Sequence, residues 1–425
     1  MKRMWCQFRT NAARLVAGLP LLLASEAGAE GLVGDGVHDD TAAIQAMLDS
    51  GRSLVYLPPP PKEYVISRTL KIGSRTELRL DRLTRIRLAP NSNCPMLQNR
   101  DYYYGTNVDV IVTGGVWDFD NPHQEPNPYK MKRDATKLPH PEKEFWDPAN
   151  FMPEWNLGVL MRFSGVRHLE VRDLTLENPT LYGLAINRAW YFTVDHVYFD
   201  YNRWNPLPIN MDGVHLDSNC HFGRIAHVRG NTYDDMVALN TNDWWDKGPI
   251  TDIVIEDVYA DAGFRAVRLL SKSPSAPVKR VAIRDIRGRY YRDVIGFTRY
   301  YEGGDERGLI DDVAIENVFA SKDPPPEFRK TMTVSPLIWF QGGLDVGRVS
   351  IRNLSREETK WDRPTFLVEK DVKVKDLIVR DAKMVNRLGK PIVFYECDGT
   401  VENPVFENLS FEGEWRKEKG TGCRK

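Results

Sequence analysis

The chain has 425 residues, 42% of them hydrophobic, and a formal net charge of −1 at pH 7. This length and composition allow a large buried core. Because the charge is nearly balanced, nothing in the composition favours binding to nucleic acid or to an anionic membrane surface, and neither is expected as a partner.

The first 29 residues have the pattern of a secretory signal peptide. Basic residues precede a short apolar segment, Leu15 to Ala24, and Ala27-Gly28-Ala29 fits a small-residue cleavage site. The apolar segment is too short to span a bilayer, and no other segment approaches the necessary length. We therefore expect an exported protein, secreted or periplasmic, whose mature chain has no membrane span. The alternative is a buried N-terminal helix.

The start of the mature chain, residues 34–48, predicts a loop that leads into a short helix. Asp40 or Thr41 would cap this helix, and Ile44, Met47 and Leu48 would lie on one of its faces. A helix in this position could cover the open end of a repetitive β-structure, which would otherwise expose its core and an unpaired strand edge.

A stretch rich in proline and charge, residues 118–155, interrupts the strand pattern. It also contains Trp146 and Trp155, and it is too long for an ordinary connection. We interpret it as an insertion that projects over a groove, with a plain surface loop as the alternative.

After residue 160 one phrase of alternating apolar and polar residues recurs every 22 to 36 residues, for example at Val171, Ile253 and Val313. Alternation with a period of two predicts strands with one buried face. Regular recurrence predicts a solenoid, whereas a sandwich would need hairpin turns that are scarce here and a propeller would need a longer period. We therefore predict an all-β parallel β-helix that forms one domain over residues 30–425.

The mature chain contains four cysteines, Cys94, Cys220, Cys397 and Cys423. Three pairings are possible, and free thiols are equally compatible with the sequence. Since no CxxC pair is present, a zinc site is not expected.

Two acidic motifs lie one repeat apart, Asn210-Met211-Asp212-Gly213 and Tyr233-Asp234-Asp235. Asp212 and Asp234 are 22 residues apart, which is about one coil. On adjacent coils, roughly 4.8 Å apart, the three carboxylates would share one patch of surface. A single Asp in a turn usually caps backbone N–H groups. Three of them at one-coil spacing favour a catalytic role for Asp212, Asp234 and Asp235.

Strand alternation predicts which neighbours of these carboxylates face a groove. Val214 and Leu216 should point into the core and His215 outward, where it could bind a sugar or tune the acid. Polar side chains that follow the second motif would form hydrogen bonds with sugar hydroxyls, and a tryptophan after them would stack on a sugar ring. Arginines on the next coil would suit an anionic sugar. The predicted substrate-binding residues are His215, Asn240, Asp243, Trp244, Arg265 and Arg268.

Several of these motifs resemble a known family. The run that begins Gly34-Asp35-Gly36-Val37 resembles the N-terminal signature of the pectin-lyase-like right-handed parallel β-helix superfamily. The two acidic motifs resemble Asn-Thr-Asp-Gly and Gly-Asp-Asp of the polygalacturonases, glycoside hydrolase family 28. Asn178-Pro179 resembles the family's Asn-Ser-Pro. Arg268 matches the Arg of its Arg-x-Lys motif, Leu270 stands in the place of the Lys, and its His-Gly motif has no clear counterpart. The resemblance implies a right-handed parallel β-helix and an O-glycosyl hydrolase.

The expected reaction is hydrolysis of a glycosidic bond in a polysaccharide or oligosaccharide with inversion of configuration. Such an enzyme uses one carboxylic acid and one carboxylate about 6.5–9.5 Å apart. Crowding of carboxylates raises at least one of their pKa values. We assign Asp212 as the general acid and Asp234 with Asp235 as the base system that holds the water. No cofactor or metal is needed.

Two alternatives are compatible with the same residues. A polysaccharide lyase of this fold would use the aspartates to bind Ca²⁺, and Arg265 or Arg268 would abstract the α-proton of a uronate. A non-catalytic carbohydrate-binding solenoid is the other.

Overall fold

The computed structural model describes residues 31–103, 105–124, 158–202, 210–241, 246–299, 306–329 and 335–420. These residues form parallel strands wound into a solenoid, with one α-helix near the N-terminus. The predicted all-β parallel β-helix is confirmed. The expected signal peptide and most of the expected insertion lie outside the described residues.

The helix α1 spans Thr41–Asp49, and two short 3-10 helices span Asn121–His123 and Glu327–Arg329. Strands β1 to β9 span, in order, Asp35–Asp39, Leu54–Leu57, Glu63–Ile66, Leu70–Ile72, Thr76–Leu80, Arg85–Leu88, Leu97–Asn99, Asn107–Thr113 and Val116–Asp118. Strands β10 to β18 span Met161–Glu177, Leu184–Asp200, Val214–Leu216, Cys220–Asn231, Asp235–Asn240, Ile250–Gly263, Arg265–Leu270, Val278–Tyr290 and Ile295–Thr298. Strands β19 to β26 span Gly308–Lys322, Ile338–Phe340, Leu344–Glu358, Phe366–Val368, Lys373–Asn386, Ile392–Cys397, Thr400–Glu412 and Trp415–Lys419.

The recurring sequence pattern forms the long strands of successive coils. Strands β10, β11, β13 and the later odd-numbered strands to β25 stack in parallel, and the short strands β12, β14 and the later even-numbered strands to β26 form a second stack. Equivalent apolar residues lie directly above one another in the core, as in the series Val171, Val194, Ile225, Ile255, Ile283, Ile315, Ile351 and Val379. The period of the sequence is therefore the length of the coil.

The polar residue that recurs within each phrase bends the strand. Asp285, Asn317 and Asn353 have φ values of 58°, 57° and 55°, in the left-handed region that Asp and Asn tolerate better than other non-glycine residues. Their side chains also link the coils, because Asn353 Nδ2 donates to Asn317 Oδ1 at 2.8 Å and Asn317 Nδ2 donates to Asp285 Oδ1 at 3.1 Å. The recurring Asp or Asn is thus a corner residue.

The helix α1 covers the first coils, as the sequence predicts. Ile44 and Leu48 are buried and Met47 is partly buried against the core. Asp40 is the N-cap residue, but its carboxylate accepts a hydrogen bond from the N–H of Val33 at 2.7 Å instead of capping the helix.

The last described coil is more exposed than the interior coils. Most residues of β25 and β26 are at least partly exposed, and β25 contains Pro404, which has no N–H to donate. Charged residues follow in β26 from Arg416 to Lys419.

The described cysteines differ in their chemistry. Cys397 is in a disulfide, whereas Cys94 and Cys220 have free thiols. In the described part of the chain, no helix is both long and apolar enough to cross a membrane.

Candidate active site

The two acidic motifs lie on adjacent coils. Val214 on β12 pairs with Val237 on β14, so Asp212 and Asp235 occupy equivalent positions and Asp234 precedes by one residue. The Gly213 N–H donates to the Asp235 carbonyl at 2.8 Å, and the Asp235 N–H donates to Asp212 Oδ1 at 3.1 Å. Each of the three carboxylates offers an oxygen within 4.8 Å of the other two. The predicted convergence is therefore observed.

Asp212 is held by a histidine that an aromatic ring covers. His215 Nδ1 lies 2.7 Å from Asp212 Oδ2. The imidazole stacks on Tyr182 with ring centroids 3.9 Å apart and an interplanar angle of 9°. Val214 and Leu216 point into the core, as predicted, and His215 lies between them on the other face. The expectation that His215 lines an open groove is wrong, because its exposed fraction is 1%.

Asp235 is bound by an arginine from the next coil. Arg265 Nη1 donates to Asp235 Oδ1 at 2.8 Å, while its Nε and Nη2 donate to the two oxygens of Asp293 at 2.6 and 2.8 Å. Arg265, Asp235 and Asp293 are all buried. Arg265 is therefore not presented to an anionic sugar, which corrects the expectation from sequence. Arg268, on the same strand as Arg265, lies near the other oxygen of Asp235, with Nη1 3.7 Å from Oδ2.

Two influences on the charge of Asp235 oppose each other. Burial raises the pKa of Asp235 to about 8, the charges of Asp234 and Asp212 act in the same direction, and Arg265 and Arg268 lower it. The positive charge of Arg265 is already compensated by Asp293, so burial prevails. Asp235 Oδ1 accepts from Arg265, and Oδ2 has no hydrogen-bond partner among the described residues. A proton on Oδ2 is consistent with both observations.

Asp234 is the most exposed member of the trio, although its side chain is only 14% exposed. Its Oδ2 accepts a hydrogen bond from the Asn210 N–H at 2.8 Å and lies 3.7 Å from Arg329 Nη2. The Arg329 guanidinium stacks over the ring of Phe264 at 4.9 Å and donates to the carbonyl of Tyr233 at 3.0 Å. These contacts place Arg329 at the border of the site.

Sequence reasoning missed three of these neighbours as site residues: Tyr182, Asp293 and Arg329. A signal existed for Asp293, because it lies one coil after Arg265 at the equivalent strand position. No such signal existed for Arg329, which comes from an irregular connection between β19 and β20.

The remaining predicted residues are distributed as follows. Asn240 ends β14 and is buried. Arg268 donates through Nε to Thr298 Oγ1 at 3.2 Å and faces Asp235. Asp243 and Trp244 lie outside the described residues, so their role stays a prediction.

The trio also has the spacing of a cation site, since each carboxylate offers an oxygen within 4.8 Å of the other two. The lyase alternative would use it to bind Ca²⁺, which takes six to eight oxygen ligands. Three of these oxygens already accept hydrogen bonds: Asp212 Oδ1 from the Asp235 N–H, Asp234 Oδ2 from the Asn210 N–H and Asp235 Oδ1 from Arg265.

A second cluster with ligand spacing, Asp195, His196 and His227, lies elsewhere on the solenoid. His196 and His227 have left-handed φ values and stack with centroids 4.1 Å apart at equivalent corner positions. Asp195 already accepts from Arg224 and contacts His227. The cluster therefore reinforces the corners between coils.

Each of the three carboxylates offers an oxygen within 4.8 Å of the other two. This distance joins the nearest oxygens and is not the separation between carboxyl groups, which is about 6.5–9.5 Å in inverting enzymes and about 5–5.5 Å in retaining ones. The inverting mechanism stays a prediction.

Comparison with solved structures shows that the fold of the chain is a known one. The chain is similar to the surface adhesin PfbA of Streptococcus pneumoniae, with 12% identity, a TM-score of 0.60 and 91% of each chain covered. It is also similar to the endo-xylogalacturonan hydrolase of Aspergillus tubingensis, with 15% identity, a TM-score of 0.59, and 89% of this chain and 98% of that chain covered.

A third similar structure is the family 28 exopolygalacturonase of Yersinia enterocolitica, with 14% identity, a TM-score of 0.52, and 92% of this chain and 76% of that chain covered. No family model matches the sequence, and no curated protein matches it. At these identities the similarity establishes the fold alone: this is a parallel β-helix, an architecture that the two hydrolases and the adhesin share.

Proposed function

We propose that the protein is a glycoside hydrolase that acts on a polysaccharide or oligosaccharide through Asp212, Asp234 and Asp235. The observation that supports this proposal is the convergence of three carboxyl groups from adjacent coils, one of which has its pKa raised to about 8. Cleavage of a glycosidic bond requires a carboxylic acid that still holds its proton beside a carboxylate. The similar hydrolases of the same fold are consistent with this chemistry.

The raised pKa favours Asp235 as the proton donor, in place of Asp212 as assigned from sequence. Asp212 and Asp234 both accept hydrogen bonds from backbone N–H groups, which suits carboxylates. In this proposal Asp235 protonates the leaving oxygen. Asp234, the most exposed of the three, and Asp212 hold and activate the water.

Asp212 and Asp235 are covered in this structure, so a substrate that reaches them must displace neighbouring side chains. Asp235 has no exposed surface and Asp212 is 3% exposed. Tyr182 over His215 and Arg329 beside Asp234 are described side chains that border the trio. Opening of the site is therefore part of the proposed catalytic cycle.

The proposal is tested by incubating the purified protein with a panel of polysaccharides and their oligosaccharides. New reducing ends and the ultraviolet absorbance of unsaturated sugars are measured together. Hydrolysis yields reducing ends without unsaturated products, whereas unsaturated products would establish the lyase. Proton magnetic resonance of the first product then shows whether the anomeric configuration is inverted or retained.

Variants identify the residues responsible. Asp212→Asn and Asp235→Asn should each lower turnover by about 10²–10⁴-fold. Asp285→Asn is the matched control, since Asn occupies its corner position in the next two coils. Full turnover in the first two variants would contradict the assignment of the trio as the active site.

A non-catalytic carbohydrate-binding solenoid is the second candidate, and the complete burial of Asp235 beside Arg265 favours it. In that case the protein would bind glycans in the panel without releasing any reducing ends. The adhesin of the same fold shows that the architecture is compatible with a surface role.

We further propose that the protein is exported. The basic and apolar N-terminal segment and the disulfide at Cys397 support this localisation, because disulfides persist in oxidising compartments. Detection of the processed chain outside the cytoplasm is the direct test.

A further inference from the structure

Another surface of the solenoid carries aromatic rings that alternate with arginines. Tyr198 is in register with Arg229, Arg229 with Tyr259, Tyr259 with Arg287, and Arg287 with Phe319 on successive coils. These five residues form what we term the aromatic–arginine column. Its three rings are 46%, 41% and 41% exposed, in chain order.

Regular exposure of these rings is not needed for folding. Aromatic residues favour strands, and a single exposed ring on a sheet needs no explanation. Three rings on one straight column, each separated from the next by a cation, are a repeated surface pattern. Such a pattern suits a ligand that is itself repetitive.

The spacing of the rings identifies the kind of ligand. Neighbouring parallel strands lie about 4.8 Å apart, so rings two coils apart lie roughly 10 Å apart. Alternate rings of an extended pyranose chain recur at a comparable distance. Aromatic faces provide broad apolar contact for sugar rings, and nearby polar groups fix their orientation.

A groove lies between the second and third rings. It has a volume of about 300 Å³ and is lined by Tyr259 and Phe319 together with the polar side chains of Asp261, Arg289, Ser355 and Glu357. These side chains provide both donors and acceptors for sugar hydroxyls. The groove is therefore the best-formed part of the column.

The charge of the column favours an acidic chain, because the two carboxylates of the groove are already paired with arginines, Asp261 with Arg289 at 2.9 Å and Glu357 with Arg387 at 3.5 Å. Arg287 forms no ion pair with any described carboxylate, and its guanidinium lies 5.8 Å from the centre of the Phe319 ring. The column continues from Phe319 through Ser355 to Lys383, which likewise has no described ion-pair partner. Arg229 differs, because it binds Asp257 at 2.5 Å. Two cations thus remain available for carboxylate or sulfate groups.

The column and the carboxylate trio occupy different faces of the same coils. Tyr259 lies in β15, and a corner at Ala262, with φ 61°, separates it from Arg265 in β16. A chain bound along the column therefore does not occupy the trio.

We propose that the aromatic–arginine column is a second, non-catalytic binding site for an extended acidic polysaccharide. The inference goes beyond the hydrolase proposal and does not depend on it, because binding on this face involves none of the three carboxylates.

The test is native electrophoresis of the full chain in gels that contain a polysaccharide. Alginate and polygalacturonate are the acidic probes, and dextran and hydroxyethyl cellulose are the neutral ones. We expect the acidic polymers to retard the wild type. The double variant Tyr259→Ala/Phe319→Ala should bind about tenfold more weakly, the loss expected for two stacking rings. Arg287→Ala should lower the salt sensitivity of binding.

The matched control is Tyr56→Ala, which removes an equally exposed ring from another part of the solenoid, 40% exposed in β2. Circular dichroism and thermal unfolding verify that each variant is folded. Three results would overturn the proposal: no retardation of the wild type by either acidic polymer, equal retardation of the double variant, or equal retardation by neutral polymers. Asp235→Asn separates the two proposals, because it should remove turnover and leave retardation unchanged.

Discussion

Arg265 binds carboxylates from the coils on both sides of it, Asp235 at 2.8 Å through Nη1 and Asp293 at 2.6 Å through Nε. The three residues follow one another along the solenoid axis, so their charges alternate. Asp293 compensates the guanidinium by itself. Asp235 can therefore hold a proton without leaving a buried positive charge unpaired.

Turnover should depend on this proton. Because the pKa of Asp235 is raised to about 8, the wild-type rate should fall as the pH rises through about 8. Asp235→Asn should reduce the rate by about 10²–10⁴-fold, the usual contribution of a general acid. Initial rates from pH 5 to pH 9, in steps of about one unit, test this, with Asp285→Asn as the unaffected control. A wild-type rate that stays level across about pH 8 would remove Asp235 as the donor.

Protonation of Asp235 should also make the free energy of unfolding depend on pH. The folded-state pKa of Asp235 lies above its ordinary value of 3.8, so the folded protein binds a proton that the unfolded chain releases. The contribution to stability is complete below about pH 4 and is lost as the pH rises to about 8. Urea unfolding of Asp235→Asn should show a weaker loss of stability over this interval than the wild type. Parallel pH profiles for the two proteins would contradict the assignment.

The buried arginine should be costly to remove. Arg265→Met removes the two hydrogen bonds that Asp293 accepts from Arg265 and, among the described residues, leaves only Arg292 Nε, 3.5 Å from Asp293 Oδ1, as an ion-pair partner of this buried carboxylate. We expect a loss of about 3–5 kcal/mol in the free energy of unfolding. Arg280→Met is the control, since Arg280 binds Asp252 at 2.6 Å in a pair of the same sequence spacing on an exposed surface. Exposed pairs contribute about 0–1 kcal/mol. Similar losses in the two variants, measured by urea unfolding, would show that burial does not decide the cost.

The corner positions should tolerate only residues that adopt the left-handed backbone conformation without strain. Asn317 has a φ of 57°, and Asn317→Val should destabilise the fold by at least about 1–2 kcal/mol, because a β-branched residue is strained there. Asn317→Gly relieves the strain and loses only the side-chain bonds to Asp285 and Asn353. Thermal unfolding should therefore rank wild type above the Gly variant and the Gly variant above the Val variant. A Val variant as stable as the Gly variant would contradict the role of the corner.

The buried side chain of Lys322 should make the protein less stable as the pH falls, the opposite direction to Asp235. Lys322 is fully buried and donates to the carbonyl of Arg292, and burial lowers its pKa well below the ordinary value of 10.5. The unfolded chain then binds a proton that the folded protein lacks, so this group's destabilising effect grows as the pH falls from about 10. Lys322→Met should gain stability relative to the wild type over that range. A constant difference at all pH values would show that the folded lysine is charged.

The regular parts of this molecule were predictable from sequence because coil length fixes them. The repeat predicted the stacked series from Val171 to Val379, and it brought Asp212 near Asp235 once the strands were taken as parallel. The observed register joins Asp212 to Asp235 and not to Asp234, a difference of one residue that only the pairing of β12 with β14 establishes.

Exposure and long-range contacts were not predictable in the same way. Alternation shows which face of a strand carries His215, but not that Tyr182 covers it. Arg329 reaches Asp234 from a connection whose length does not follow the repeat. Such contacts depend on loop conformation, which no periodic pattern encodes.

The last described coil also affects how the protein behaves in concentrated solution. A stack of parallel strands offers its edge to any chain of matching geometry, including another copy of itself, and uninterrupted growth of that kind produces fibres. Pro404 removes one hydrogen-bond donor from β25, and the charges from Arg416 to Lys419 oppose dehydration of β26. With α1 over the first coils, both ends of the described solenoid resist end-to-end polymerisation.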